Sequence, residues 1–435
     1  MIRIKVKRIP IPFLFCGPLV NLSRHYPLAE FEKVRTEAGF SWKSYAGLAA
    51  SLIVPSLSLF KKFSPVFLIL YLGLSVVFLF LYSKYFYPFV RARVNPPRAD
   101  FLSFVTVAVL VAFFVVIYSR IDTQGFSLFG IRVGAADTDN GLQTAVELLT
   151  KGKYPYSGQI FTGQPISQMP GSLLLAAPFL FLRYTAFQNF FWIVMFLFLG
   201  KNLFKDSRPA LLMVWALILF SPVFLVHLLT GVDSIANSLS ILTFLLLLKT
   251  SAERHAPPYQ KYLFAALLGL SLSSRINFIL LVPLIFFAIA KLSGLFEAVK
   301  MTLVSLLTFL LVTLPFYFYD PQGFTPLYTL HTIQFSKVFK YGQLLVPCIA
   351  GVASVLLGIL TDNSRTSTFL KNCALVQAVL VLGTEIGHFV LPGGNDPLKM
   401  TWLLQYGVFF MFFGVLGFGL DIFKSEGDSL ASKHE

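Results

Sequence analysis

Apolar runs separated by short polar breaks dominate the chain, and most of the runs are long enough to cross a ~30 Å hydrocarbon layer. The hydropathy pattern predicts about twelve spans, near 44–60, 66–84, 101–119, 186–203, 209–229, 233–250, 261–275, 276–291, 296–318, 343–361, 367–391 and 399–422. The run at 171–183 is too short to span and reads as a helix lying at the membrane surface. The predicted fold is therefore an all-α polytopic membrane protein, with juxtamembrane helices in its first large loop.

The polar breaks set the orientation. Arg3, Lys5, Lys7, Arg8, Arg24, Lys33, Arg35 and Lys43 crowd the first 43 residues. Further basic groups follow at Lys84, Arg91, Arg93 and Arg98, at Lys201, Lys205 and Arg208, and at Lys249, Arg254 and Lys261. The positive-inside rule puts these clusters in the cytoplasm. That holds only if 186–203 crosses and 171–183 does not, and it leaves both termini inside. The layout divides into a cytoplasmic segment with an extra hairpin (1–100), a core module (101–342) with outer loops 120–185 and 319–342, C-terminal helices (343–422) and a cytoplasmic tail (423–435).

Composition agrees. Of 435 residues, 56% are hydrophobic and 13% charged, and the mean hydropathy is +0.75, which excludes a soluble globular protein. The net charge of +15 sits in short loops, where it orients the chain and favours anionic lipid and phosphate; it is no sign of nucleic-acid binding. Cys16, Cys348 and Cys373 suggest neither a disulfide framework nor a thiolate metal site. The Pro-broken N-terminus lacks a signal-peptide core. The Asn21-Leu-Ser sequon falls on the cytoplasmic side and carries no information there.

Candidate chemistry gathers on the outer side. Asp137 and Asp139 follow the 101–119 span and precede a helix whose Leu142, Ala145, Val146 and Leu149 form one apolar face. Asp139 reads equally as an N-cap and as a functional acid. One cap suffices for one helix end, so Asp137 is the freer of the two to act as general base or cation ligand. Asp233, between two spans, is a functional candidate or the N-cap of its helix. Arg275 is a phosphate ligand or a snorkelling cation. The 319–342 loop adds His331, Gln334, Lys337, Lys340 and Tyr341, of which the lysines are possible phosphate ligands. Glu385 and His388 have a metal-like spacing but make no site alone, and His227 on its apolar helix reads as structural.

In order and spacing these residues resemble the GT-C superfamily of integral-membrane glycosyltransferases, over about residues 101–342. The matching positions are Asp137, Ala145, Leu148-Leu149, Gly152 and Pro155-Tyr156. They continue with the turn Ile166-Ser-Gln168-Met-Pro170-Gly, with Gly200-Lys-Asn-Leu-Phe204, with Gly231-Val-Asp233 and with Arg275. Two positions depart: Gln168 stands near a Pro where some branches carry Lys or His, and Arg275 stands where many members carry Lys. The resemblance implies transfer of a sugar from a polyprenyl-phosphate carrier to a glycan, lipid or protein acceptor on the extracytoplasmic side. Asp137 would be the base, with Asp139 and Asp233 supporting it or sharing a divalent cation such as Mg or Mn. Arg275, with Lys337 or Lys340, would steady the leaving phosphate, and His331, Gln168 and Tyr156 would line the substrate. A transporter or flippase of lipid-linked sugars is the alternative, although its ionisable groups are expected along a midplane path rather than at one face. A non-catalytic membrane scaffold is the third reading, and it expects none of the outer polar residues to matter.

Overall fold

The computed structural model describes residues 41–60, 65–118, 120, 126–128, 131–133, 137–327, 342–390 and 401–424. Helices dominate it. The strands among the described residues are β1 (Phe126–Leu128) and β2 (Ile131–Val133), which pair antiparallel.

In chain order the helices are α1 (Trp42–Phe60), α2 (Val66–Arg93), α3 (Pro96–Tyr118), α4 (Asp137–Thr150), α5 (Pro170–Leu182) and α6 (Thr185–Phe204). Then come α7 (Ser207–Phe220), α8 (Pro222–Leu229), α9 (Ser234–Glu253), α10 (Pro258–Leu272) and α11 (Ile276–Ser293). The last are α12 (Leu295–Tyr319), α13 (Gly342–Leu360), α14 (Thr366–Val390) and α15 (Val408–Lys424), with a 3₁₀ segment, Thr401–Gly407, leading into α15.

Among the described residues, nine helices are long and apolar enough to cross a membrane, which makes this an integral multi-pass architecture. A tenth span requires counting α7 and α8 as one, although they bend by 91° at Ser221-Pro222. The sequence reading took 209–229 as a continuous span. Pro222 removes the N–H that would continue the ladder, so the chain turns there and restarts with proline at the first position of α8. The further members of the expected twelve are α10, whose 15 residues rise only about 22 Å, and α13, whose described apolar stretch begins at Leu344. The α5 run likewise falls short of a span.

Burial orders the bundle. Apolar stretches in α9 and around α15 are 83% and 78% buried, whereas that of α3 is 11% buried, so α9 and α15 form the centre and α3 the rim. A second, smaller core lies under α4 and α5, built from Leu142, Val146, Tyr156, Ile166, Met169, Leu173 and Phe324.

Hydrogen bonds sort the loops into two ends. At one end Arg208 Nη1 donates to Arg91 O (2.6 Å), Ser207 Oγ to Pro96 O (3.0 Å) and Lys201 Nζ to Asp100 (2.9 Å). Tyr87 OH donates to Phe423 O (3.1 Å) and Lys371 pairs with Asp421, which also accepts from Ser44 Oγ. Lys249 Nζ reaches Ser364 O (2.7 Å) and Lys291 Nζ reaches Thr361 O (2.5 Å). Among the described residues, basic groups from several clusters of the sequence thus meet at one end, while those before residue 41 lie outside the described residues. The α4 and α5 segments, the Gly231 turn and the end of α10 meet at the other.

Candidate functional site

Helix α4 delivers the acids. Its buried stripe, Leu142, Ala145 and Val146, faces the small core. Asp139 precedes Leu142 by three positions and Val146 by seven, so it lies on that same face and is only 4% exposed. Asp137, two residues away and about 200° round the helix, is on the exposed side.

Helix α4 already begins at Asp137, so Asp139 lies inside the first turn, and its carboxylate does not act as a cap. Oδ2 accepts a hydrogen bond from the Tyr118 hydroxyl at the end of α3. Oδ1 is buried and takes no hydrogen bond. Desolvation pushes the Asp139 carboxyl up to about 7; the Tyr118 hydrogen bond works against that rise and the nearby Asp233 charge adds to it. Desolvation also raises the Asp137 carboxyl.

The turn at Gly231 makes Asp139's position possible. Gly231 has φ +77°, and a Cβ there would lie 2.6 Å from Asp139 Oδ1, so only glycine serves both the backbone and the neighbour. The turn is pinned to α6 by Asn189, whose Oδ1 accepts from Ala236 N (3.1 Å) and whose Nδ2 donates to Val232 O (3.1 Å). His227 supports it from below, through Val232 N to His227 O (2.9 Å) and its ring Nδ1 against Ser234 Oγ (2.9 Å).

Asp233 follows that turn, fully buried, at the N-cap position of α9, yet its side chain makes no capping bond. Arg275 Nη2 donates to both its oxygens, at 2.8 and 2.9 Å. Asn237 Nδ2 donates to Oδ2 (3.0 Å), and Ser172 Oγ lies 3.4 Å from the same oxygen. Arg275 is therefore held inward, its side chain 12% exposed, and does not snorkel. Its Nε is buried and makes no hydrogen bond. Tyr406 lies within electrostatic reach of Arg275, Asp233 and Asp137, which ties Asp137 to the same cluster.

Ser172 arrives through close packing. Gly171 N donates to Ser273 O (3.0 Å), and a Cβ on Gly171 would lie 2.3 Å from Leu270 O. Proline at the first position of α5 and a side-chain-free second residue let its first turn dock onto the end of α10.

Two substrate candidates of the sequence are engaged inside the protein. Tyr156 OH donates to Gln168 O (3.0 Å) within the small core. Gln168 Nε2 donates to Thr138 O (2.6 Å) and braces the start of α4, while its Oε1 is buried without a partner. Both position α4. His331, Gln334, Lys337, Lys340 and Tyr341 lie outside the described residues, as does the His388 side chain.

Among the described residues no three of His, Cys, Asp and Glu come together to hold a metal ion. Arg275, Asn237 and Ser172 already occupy the oxygens of Asp233, and Arg275 neutralises its charge. The residues present do not fit a divalent cation shared by Asp139 and Asp233, since hard cations need several free oxygen ligands.

Sequence reasoning missed Tyr118, Ser172, Asn237 and Tyr406. For Asn237 a signal existed: it lies four residues after Asp233 on one helix face, beside the acid it serves. The chain matches no protein-family model, no curated protein and no solved structure.

Proposed function

We propose that the chain is a membrane glycosyltransferase of the GT-C type, moving a sugar from a polyprenyl-phosphate carrier to an acceptor hydroxyl. One observation carries this reading. A single buried cluster contains an acid oxygen with no donor (Asp139 Oδ1) and a cationic N–H with no acceptor (Arg275 Nε). A hydroxyl meeting the first and a phosphate meeting the second are the two partners such a transfer brings together.

In this reaction the acceptor oxygen attacks the anomeric carbon, the bond from that carbon to the carrier's phosphate oxygen breaks, and its electron pair leaves with the phosphate. Asp139 takes the hydroxyl proton. Its carboxyl, raised to about 7, is matched to that work near neutral pH. We place the base here rather than at Asp137, because Asp139 is buried and held by Tyr118 beside the Gly231 turn. Asp137 stands at the rim, towards Tyr406. Arg275, oriented by Asp233, would offer its remaining donor to the leaving phosphate, joined by Lys337 or Lys340. In this reading the basic end is cytoplasmic, both termini lie there, and α10 and α13 complete twelve spans.

The test is transfer by the purified protein in vesicles carrying a radiolabelled polyprenyl-phosphate sugar and candidate acceptors. A new glycosidic bond, lost in Asp139→Asn, is expected. Translocation without bond formation would instead identify a flippase, and near-wild-type transfer by the folded Asn variant would sink the assignment of the base.

A further inference from the structure

The α1–α2 hairpin lies outside residues 101–342, and no part of the proposed chemistry uses it. Several of its polar contacts nevertheless converge on one point, the 91° bend between α7 and α8. A bend inside an apolar bundle strands backbone groups on both of its sides, and within a bilayer no water meets them. In a continuous helix Phe220 O would accept from Phe224 N, and Leu219 O from Val223 N. Here Phe224 N turns to Ser221 O (2.9 Å), which leaves Phe220 O and Val223 N to be met by other groups.

The hairpin meets both. Tyr71 OH, from α2, donates to Phe220 O (2.9 Å). Ser56 Oγ, from α1, accepts from Val223 N (3.2 Å), so a serine 167 residues upstream caps α8 while the side chain of Ser221, at the N-cap position, does not. Ser56 is fully buried, and α1 presents it by tightening into a 3₁₀ turn at Val54–Ser56, around Pro55. Ser56 Oγ also lies 3.5 Å from Ser221 Oγ, which donates to Met411 Sδ on α15 (3.3 Å). A Cβ on Gly407 would lie 2.8 Å from Pro55 Cγ, so the segment leading into α15 closes on the same break.

Helix α8 runs directly into the Gly231 turn. Thr230 N donates to Val226 O (2.9 Å) and Val232 N to His227 O (2.9 Å), so the turn is bonded to the helix and follows it. Beyond it Gly231 stands against Asp139 Oδ1, and Asp233 holds Arg275.

We propose that Ser56 and Tyr71 are positioning residues, which fix the angle of α8 at the Ser221-Pro222 bend and thereby hold the Gly231 turn over Asp139. The α1–α2 hairpin is then a working part of the site rather than an appendage to it. Its effect on transfer rests on the proposed reaction; the placement of the turn does not.

The test reads the titration midpoint of Asp139 in the purified full chain, from the pH dependence of thermal unfolding measured against Asp139→Asn in each background. Tyr118 and Asp233 are the titratable groups that act on Asp139, and Arg275 is already paired with Asp233. Tilting α8 away opens Oδ1 to water and withdraws the Asp233 charge, and both changes lower the midpoint. Tyr71→Phe, at a half-buried ring, and Ser56→Ala should each lower it by about half a unit or more. Each should also reduce kcat for transfer by about tenfold. Tyr82→Phe is the control: it deletes a like bond from the same hairpin, Tyr82 OH to Leu212 O (2.7 Å), but on α7 before the bend. There the midpoint and kcat should keep their wild-type values. A wild-type midpoint in folded Tyr71→Phe, or an equal shift in Tyr82→Phe, would overturn the proposal. Absence of transfer by the wild type, with the midpoint shifts intact, would end the glycosyltransferase reading and leave the placement of the turn standing.

Discussion

Asp139→Asn separates the cost of the buried acid from its use. In the folded chain the carboxyl titrates at about 7 rather than 3.8, chiefly because it is desolvated. A rise of about three pKa units corresponds to about 4 kcal/mol. The folded state holds this proton more tightly than the unfolded chain, so its contribution to stability is intact below pH 3.8 and is lost as pH rises through 7. Linkage puts the loss at about 1.5 kcal/mol at pH 5 and about 4 kcal/mol at pH 8. Asparagine is neutral throughout, still accepts from Tyr118, and does not pay this penalty. For 435 residues, an unfolding entropy of ~2 cal/mol/K per residue translates these values into about 2 °C at pH 5 and about 5 °C at pH 8. Thermal unfolding of the two proteins in one detergent, followed by tryptophan fluorescence across pH, measures the gap. The variant should be the more stable, by a margin that widens with pH, while its transfer is abolished. A gap that is constant across pH, or that narrows towards pH 8, would refute the buried ionisable Asp139.

Other expectations follow from the same contacts. Tyr118→Phe removes the bond that holds the Asp139 carboxyl down, so the acid limb of the pH–rate profile should move to higher pH by about one unit, with the rate recovering above pH 8. Arg275→Ala strands Asp233 in the core and should cost about 3–5 kcal/mol in denaturation. Asp233→Asn with Arg275→Gln should recover most of that stability and no transfer. Gly231→Ala forces a Cβ to 2.6 Å from Asp139 Oδ1 at φ +77°, so both stability and transfer should fall, the former by about 1–3 kcal/mol. Gly171→Ala lifts α5 from Leu270 O and should lower the apparent melting temperature while leaving the Asp139 pH dependence of stability in place.

Much of this was legible because the relevant signals are local. Nine of the twelve expected spans, and the polar segments that meet at the end opposite the basic groups, follow from apolar runs and from where charge interrupts them. The cap-or-ligand ambiguity of Asp139 was also resolvable from the chain. The Leu142, Ala145 and Val146 face, extended one turn backwards, reaches Asp139 and passes Asp137 by. Pairings across the bundle were not legible. Arg275 and Asp233 are 42 residues apart, with the whole of α9 and α10 between them, and nothing in either segment says that the arginine's charge is already met. Tyr118, the last residue of a span, looks like any interfacial aromatic until α4 folds back over it. Ser172 and Gly171 read as a helix start, and only the backbone of α10 explains why both are small.

The charge arithmetic of the cluster bears on its chemistry. Asp233 and Arg275 cancel each other, with Asn237 and Ser172 completing the oxygen contacts of the pair. Such a pair costs desolvation and returns little net stability, so its value lies in fixing where a guanidinium stands. Asp139 is the acid left over, buried beside a neutral pair and a neutral tyrosine. A cation between the two acids would have to draw Asp233 away from Arg275, and the arginine would then be free to move. In the proposed reaction, holding Asp233 on the arginine would keep both groups in place: the Asp139 carboxyl, raised to about 7, and the unpartnered Nε–H of Arg275. Removal of divalent ions by chelation should therefore leave transfer intact with Arg275 present. A requirement for Mg or Mn, abolished by chelation and restored by the ion, would show instead that Asp233 leaves its partner when substrate binds.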